Sequence, residues 1–412
     1  MYSKESFDLI LESEKECEEI FKKLEDVALF NQKKVLDAFK NANMQLSDIA
    51  SSTGYGNDDR SKGKLAEIYA SAFGAETGIV SPLITSGTHA LTIGLFGVLR
   101  PDDIMYSITG KPYDTLLGVI FGEGNGSLKD FKVKYEDTVL KNNDFDIPEI
   151  LKRVKELKPK IIYIQRSRGY TTRDSLSIEK IEKVIKEIRT VDKNVIIMVD
   201  NCYGEFVETR EPCDVGADVM IGSMIKNAGG GIAPTGGYIV GKEKIIELIS
   251  SRFIAPNIGM ENGSYAGSYT PFFQGCFIAP HVVLNAMKGS ILFGKVAEKF
   301  GISSFPKFGE MPHDIVRTIE FGDADKLIEF CRIIQRLSPI DSNVVPFPWD
   351  MPGYDDKVIM ASGSFVQGSS IELSADGPIR PPYVAYLQGG LTYEHLKIVC
   401  LEFAESYLNS SK

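Results

Sequence analysis

The sequence predicts an α/β protein: a large, mostly parallel sheet covered by helices, followed by a smaller α+β C-terminal domain. Three observations carry this expectation. Helical and extended patterns alternate from about residue 64 with short connections, the order of a parallel sheet with helices on both faces. Beyond about residue 285 the order becomes mixed, as in a separate α+β unit. The length of 412 residues suits two unequal units at about 100 to 200 residues per domain.

The elements follow in order. Residues 4–42 read as an amphipathic helix, because Phe7, Ile10, Leu11, Ile20, Phe21, Leu24 and Val27 recur at helical spacing among charged neighbours. We take 1–45 as an N-terminal arm whose apolar stripe packs on its own subunit or on a partner's. Residues 47–64, with Gly54, Gly56 and Asp58, read as a loop in which Tyr55 and Arg60 are the large functional candidates. The large domain is expected over 46–285. It contains helix KLAEIYASAF, the run TGIVSPLITSG, helix THALTIGLFGVL, strand DDIMYSI and helix DTLLGVIF. After these come strand IIYIQ, helix SIEKIEKVIKEIR and strands NVIIMVD and DVMIGS. The small domain, 286–412, follows a long connecting helix, VVLNAMKGSILFGKVAEKFG. It holds helix DKLIEFCRIIQRL, strands DKVIMAS and SSIELS, and a final helix YEHLKIVCLEFAESYL.

Composition narrows the function. Hydrophobic and charged fractions of 43% and 25% are ordinary globular values, which argues against disorder and fibres. A net charge of −10 argues against nucleic-acid and anionic-membrane partners, which need clustered Lys and Arg. The N-terminal residues mix charges throughout, so neither a signal peptide nor a membrane span is expected there. Six scattered cysteines form no C-x-x-C pair, which fits a reducing cytoplasm. Four histidines show no ligand spacing, so no metal is expected.

The chemistry concentrates at two strand ends. Asp200 closes NVIIMVD and Lys226 closes ADVMIGSMIK, and the carboxyl ends of parallel strands form the ligand crevice. A lysine there suggests Schiff-base chemistry with a carbonyl, its pKa depressed by burial and nearby positive charge. Either residue alone would also fit a solvated strand end. Ser86, Gly87 and Thr88 stand at a helix start, where backbone N–H groups and the helix dipole suit a phosphate, or where the serine is an ordinary cap. Tyr113 lies at another strand-to-helix turn and could stack on a flat ring or cover the helix start. Ser223, three residues before Lys226, offers a further phosphate hydroxyl, and GGGIAPTGG allows close approach of backbone to ligand.

Two competing motifs fail. In GGYIVGK, Glu243 replaces the Ser or Thr that a P-loop needs, and the glycines enclose a strand instead of opening a helix. FGEGNGS lacks the spacing of a dinucleotide fingerprint.

The set of S-G-T, the stacking tyrosine, D-N-x-Y at Asp200, Asn201 and Tyr203, and S-x-x-K at Lys226 resembles the pyridoxal-phosphate enzymes of fold type I, the aspartate-aminotransferase-like fold. Within them it resembles the cysteine and methionine metabolism group of cystathionine beta-lyase and methionine gamma-lyase. SGTHAL, SMIKNAGGGIAPTGGYIVG and ELSADGPIRPPY are similar to a bacterial branch of methionine gamma-lyase-like, aluminium-resistance proteins, from about residue 45 to the C-terminus. The resemblance implies pyridoxal 5'-phosphate as cofactor and a carbon–sulfur lyase acting by β- or γ-elimination on a sulfur amino acid such as methionine or cystathionine. Other activities open to the same scaffold are an aminotransferase and a non-catalytic, cofactor-binding metal-stress protein.

The implied roles are Lys226 bonding the cofactor carbonyl and shuttling protons, and Asp200 holding the ring nitrogen protonated. Gly87, Thr88 and Ser223 would bind the phosphate with Ser86 nearby, and Tyr113 would stack on the ring and assist the leaving group. The resemblance also implies a homodimer or homotetramer in which Tyr55 and Arg60 reach a neighbouring subunit's phosphate. Arg380, in GPIRPPY, is the expected clamp for the substrate carboxylate, or otherwise a member of a surface ion pair, with Arg168 as a second anion contact. Two positions depart from the lyase pattern: Glu372 stands where those enzymes carry their carboxylate arginine, and Ile225 replaces a hydroxyl residue before the lysine.

Overall fold

The structure, a computed structural model, describes residues 2–57, 59–351 and 354–410, so Asp58 of the expected loop lies outside the described residues. The arm is one helix, α1 (Lys4–Asn41), capped by Ser3, whose side chain accepts from the Ser6 N–H. It is followed by α2 (Arg60–Ala72), β1 (Thr77–Ser81), α3 (Gly87–Val98), β2 (Ile104–Ser107), α4 (Asp114–Phe121) and β3 (Lys134–Asp137). The chain continues through α5 (Ile147–Leu157), β4 (Ile161–Gln165), α6 (Ile178–Val191), β5 (Ile196–Asp200), β6 (Val219–Ser223), β7 (Gly237–Gly241) and α7 (Glu243–Ser250). These strands form a seven-stranded sheet in the order β1-β7-β6-β5-β4-β2-β3. β7 is antiparallel to both neighbours and the other pairs are parallel.

Alternation across the strands divides the core. In β4, Ile161 and Tyr163 face the layer of α3, α4 and α7, while Ile162 and Ile164 face α5 and α6. All five β4 residues are buried, which is why this strand reads as an uninterrupted apolar run instead of an alternation.

α8 (Thr270–Lys299) is apolar and long enough to cross a membrane, but 67% of its apolar window is buried inside the molecule. It begins upstream of the expected connecting helix and runs unbroken through residue 285, where the domain boundary was expected. α1 lies antiparallel along it: Glu16 pairs with Lys295 and Lys299, and Glu25 pairs with Lys288. The arm therefore packs on its own subunit, burying Ile10, Cys17, Leu24 and Val35 in the same core as α8.

The second sheet contains β8 (Ser303–Phe305), β9 (Val316–Glu320), β10 (Val358–Ser362), β11 (Ser374–Pro378) and β12 (Val384–Gln388), with α9 (Ala324–Arg336) and α10 (Tyr393–Ser410) packed beside it. It is antiparallel throughout, in the order β10-β11-β12-β9-β8. The expected strand SSIELS is displaced: pairing begins only at its last residue, Ser374, and continues through Pro378. The carboxylate of Glu372, accepting from the Phe365 and Val366 N–H groups at 2.8 Å each, holds the segment before it as a braced loop.

Candidate active site

A cavity of about 370 Å³ opens between the carboxyl ends of β4, β5 and β6 and one face of the small sheet. That volume suits a small organic ligand. Ser86, Gly87, Thr88, Tyr113, Asp200, Ser223 and Lys226 all line it.

Asp200 ends β5, beside β4 on one side and β6 on the other. Its Oδ1 accepts from the Cys202 N–H at 3.1 Å and its Oδ2 from the Tyr163 hydroxyl at 3.2 Å, so both oxygens are held. Burial raises its pKa, opposed by Lys226 and by the hydrogen bonds from Cys202 and Tyr163. Behind it, the Asn201 carbonyl oxygen accepts from buried Arg166 at 2.9 Å and its amide donates to Glu211 at 2.9 Å. Asn201 of the D-N-x-Y motif is thus a brace for the turn after β5. Tyr203 in that turn has φ +72°, which a tyrosine rarely adopts; its carbonyl is fixed by the Asn227 amide at 3.0 Å and the Ile315 N–H at 3.2 Å.

Lys226 Nζ lies 3.9 Å from the centre of the Tyr203 ring. Burial alone would lower its pKa, but the Tyr203, Cys202 and Asp200 groups around it more than offset burial and hold it above the ordinary lysine range. This corrects the expected depression: the lysine's neighbours are acidic groups, not cations.

Ser86 caps α3, its Oγ accepting from the His89 N–H at 3.0 Å, so the ordinary-cap reading is correct for its hydroxyl. Thr88 Oγ1 lies 2.9 Å from the Tyr113 hydroxyl. The Tyr113 backbone N–H donates to Gln165 Oε1 at 2.9 Å, and burial pushes the phenol well above its usual pKa. Ser223 Oγ is buried without a hydrogen-bond partner, and a Cβ on Gly87 would come within 3.5 Å of Ser223 Cβ and Cys202 Sγ. A buried hydroxyl left over beside a helix N-terminus fits an anion such as phosphate.

Other expected contacts lie elsewhere. Arg380 does not line the cavity; it is half exposed and pairs with Asp356 at 2.8 Å. Tyr55 is 73% exposed, and Arg60 pairs with buried Asp48 at 2.9 Å; neither lines the cavity. Arg168 is fully buried, 3.9 Å from Asp314, and does not line the cavity although Ser167, Gly169 and Tyr170 do. The glycine-rich segment after Lys226 approaches α8 instead of the cavity: a Cβ on Gly230 would meet the Gly275 carbonyl at 2.5 Å.

The cavity has residues that the motif reading did not single out. From the small sheet come Met360, Ser362, Ser374, Asp376, Tyr386 and Gln388, from the end of β4 Gln165, and from loops Tyr170 and Tyr354. The signal available in sequence was the alternation in VAYLQ, which puts Tyr386 and Gln388 on one face.

A family model for methionine gamma-lyase matches residues 6–408. The chain belongs to the methionine gamma-lyase family. It is 50% identical over 391 residues to YnbB of Bacillus subtilis strain 168, covering 94% of this chain and 93% of that one. It superposes with a TM-score of 0.94 on a carbon–sulfur lyase involved in aluminium resistance from Clostridium novyi NT, at 45% identity, covering 99% of this chain and 96% of the other. The pyridoxal-5'-phosphate-dependent protein YhfS of Escherichia coli matches with a TM-score of 0.65 at 16% identity over 94% of this chain and 97% of YhfS, which shows the shared fold. The fold is that of the type I pyridoxal-phosphate enzymes, with a mostly parallel seven-stranded sheet and an antiparallel C-terminal sheet.

Proposed function

We propose that this protein is a pyridoxal-phosphate-dependent carbon–sulfur lyase acting on a sulfur amino acid. The observation that carries the reading is the meeting of Asp200 and Lys226 in one cavity, from neighbouring parallel strands, with Tyr113 and an unpartnered Ser223 hydroxyl beside them. Lys226 would hold the cofactor's carbonyl, Asp200 its ring nitrogen, and Gly87, Thr88 and Ser223 its phosphate, with Tyr113 against its face. When bound, the cofactor supplies an electron sink for charge released at the substrate's α-carbon.

The remaining chemistry belongs to the chain. Lys226 Nζ is the basic nitrogen lining the cavity among the described residues, so it takes and returns substrate protons. Asp200, held by Cys202 and Tyr163, would keep a proton on the cofactor's ring nitrogen. Tyr113 stays protonated near neutral pH and can give its hydroxyl proton to a departing thiolate. The same reading makes the protein a cytoplasmic homo-oligomer in which exposed Tyr55 and Arg60 serve a neighbouring copy. Sedimentation at monomer mass with full activity would contradict that part.

The reaction class is tested by following thiol, ammonia and keto-acid release from cysteine, cystathionine, methionine and homocysteine, with and without an added acceptor keto acid. A lyase releases all three products without the acceptor. Strict dependence on the acceptor indicates an aminotransferase, and absence of any release indicates a binding protein.

A further inference from the structure

The wall opposite Lys226 is a polar sheet face. Cross-strand register sets Met360, Asp376 and Tyr386 side by side, with Ser362, Ser374 and Gln388 in the next row. Alternate residues Ile359, Ala361, Ala375, Ala385 and Leu387 turn away into the core with α8, α9 and α10.

Asp376 is 7% exposed and lines the cavity. Its Oδ2 accepts from the Gln388 amide at 3.1 Å, while its Oδ1 and Gln388 Oε1 have no hydrogen-bond partner. Among the described residues no salt bridge reaches it; the Tyr170 hydroxyl and Lys226 favour its charged form from nearby, and Oδ1 is left without a hydrogen bond. Three tyrosines stand around it. Tyr170 is centred 5.0 Å from Tyr386 and 5.5 Å from Tyr354, and all three line the cavity.

Leaving a carboxylate buried with a free oxygen costs stability, and a ligand cation would remove that cost. A carboxylate flanked by aromatic rings is the recognition chemistry of an ammonium group. Among the described residues no arginine lines the cavity to attract a second carboxylate instead.

We infer that Asp376, with Gln388 and the Tyr170–Tyr354–Tyr386 cluster, binds a second amino group on the leaving-group side of the substrate. The preferred ligand is then an amino-acid thioether with an ammonium at each end, not a monoamino thioether. The identity of the reacting end rests on the lyase reading; the binding of the distal ammonium does not.

The test uses the cofactor-loaded protein and ligands without a carbon–sulfur bond, so binding is read without turnover. L,L-diaminosuberate has the carbon chain of cystathionine with methylene in place of sulfur, and L-aminosuberate lacks only its distal amino group. Calorimetric titration is expected to give about 10- to 100-fold tighter binding of the diamino compound, the size of a charge-assisted hydrogen bond. In Asp376→Asn the ratio should collapse toward one, with L-aminosuberate binding unchanged. Equal affinities in the unmodified protein, or a ratio that survives Asp376→Asn, overturn the inference. If Asp376→Asn does not fold, the ratio in the unmodified protein decides. Failure of thioether cleavage would sink the lyase reading and leave these affinities to be judged alone.

Discussion

The two walls of the cavity are built differently. The large-domain wall is made of strand ends and helix starts, so each group sits where an apolar run stops: Asp200 after IIMV, Lys226 just past β6, Ser86 before α3. The small-domain wall is a sheet face, and its groups alternate with core residues along strands β10 to β12. The first wall is suited to hold a cofactor whose chemistry requires an acid, a lysine and a phosphate cradle. The second carries no such fixed set, and it is the wall on which we propose the substrate is chosen.

Substitutions on each wall separate the two roles. The largest effect is expected on the first wall: Asp200→Asn should retain cofactor absorbance yet lose turnover by on the order of 10³-fold, within the range of a lost acid–base group. Retained turnover would remove the acid from the mechanism. Tyr113→Phe keeps the ring but removes the hydroxyl beside Thr88, and should lower kcat by about 10- to 100-fold with cofactor affinity nearly unchanged. A loss of cofactor without a kcat effect would make it a packing residue only.

On the second wall the readout is pH. Burial pushes Asp376 up to about 7, opposed by Tyr170, Lys226 and Gln388, so below that pH the ligand-free folded protein holds a proton there that the unfolded chain, with its ordinary value of 3.8, has released, and a bound ammonium would favour its loss. Stability from this group is therefore present below about pH 4 and is lost as pH rises toward 7. Asp376→Asn does not titrate, so its thermal stability relative to the unmodified protein should improve across that window, by up to about 4 kcal/mol for a shift of this size. A stability gap that is flat with pH would show that the carboxyl is solvated. Arg380→Ala should do least. The pair with Asp356 is exposed, so a Tm change of a degree or two and kcat/KM within about threefold are expected. A large rise in KM would restore Arg380 to the substrate site.

The same contrast explains what was legible in the sequence. A charged residue closing a buried strand interrupts a run such as NVIIMVD, and the interruption is visible without any partner residue. The alternation on the small sheet is hidden because SADGP contains glycine and proline, weak strand formers, and its pairing is set by neighbours distant in the chain. β3, β8, β9 and β12 are short strands that the motif reading passed over, and the run TGIVS and the strand GYIVG were recognised without the antiparallel pairing of β7 with β1 and β6. Arg380 drew attention as the arginine of a conspicuous motif, while Asp376, four residues earlier, enters the cavity because β11 turns that position inward. The depressed lysine pKa failed on tertiary grounds: the turn at Tyr203 brings a phenol against Lys226 that no spacing rule supplies.

Lys226 is the residue proposed to hold the cofactor. Borohydride reduction of the protein loaded with pyridoxal phosphate, followed by peptide mass mapping, tests it directly. One pyridoxyl adduct is expected, on Lys226, and its loss in Lys226→Ala; an adduct on another lysine that persists in that variant would overturn the assignment.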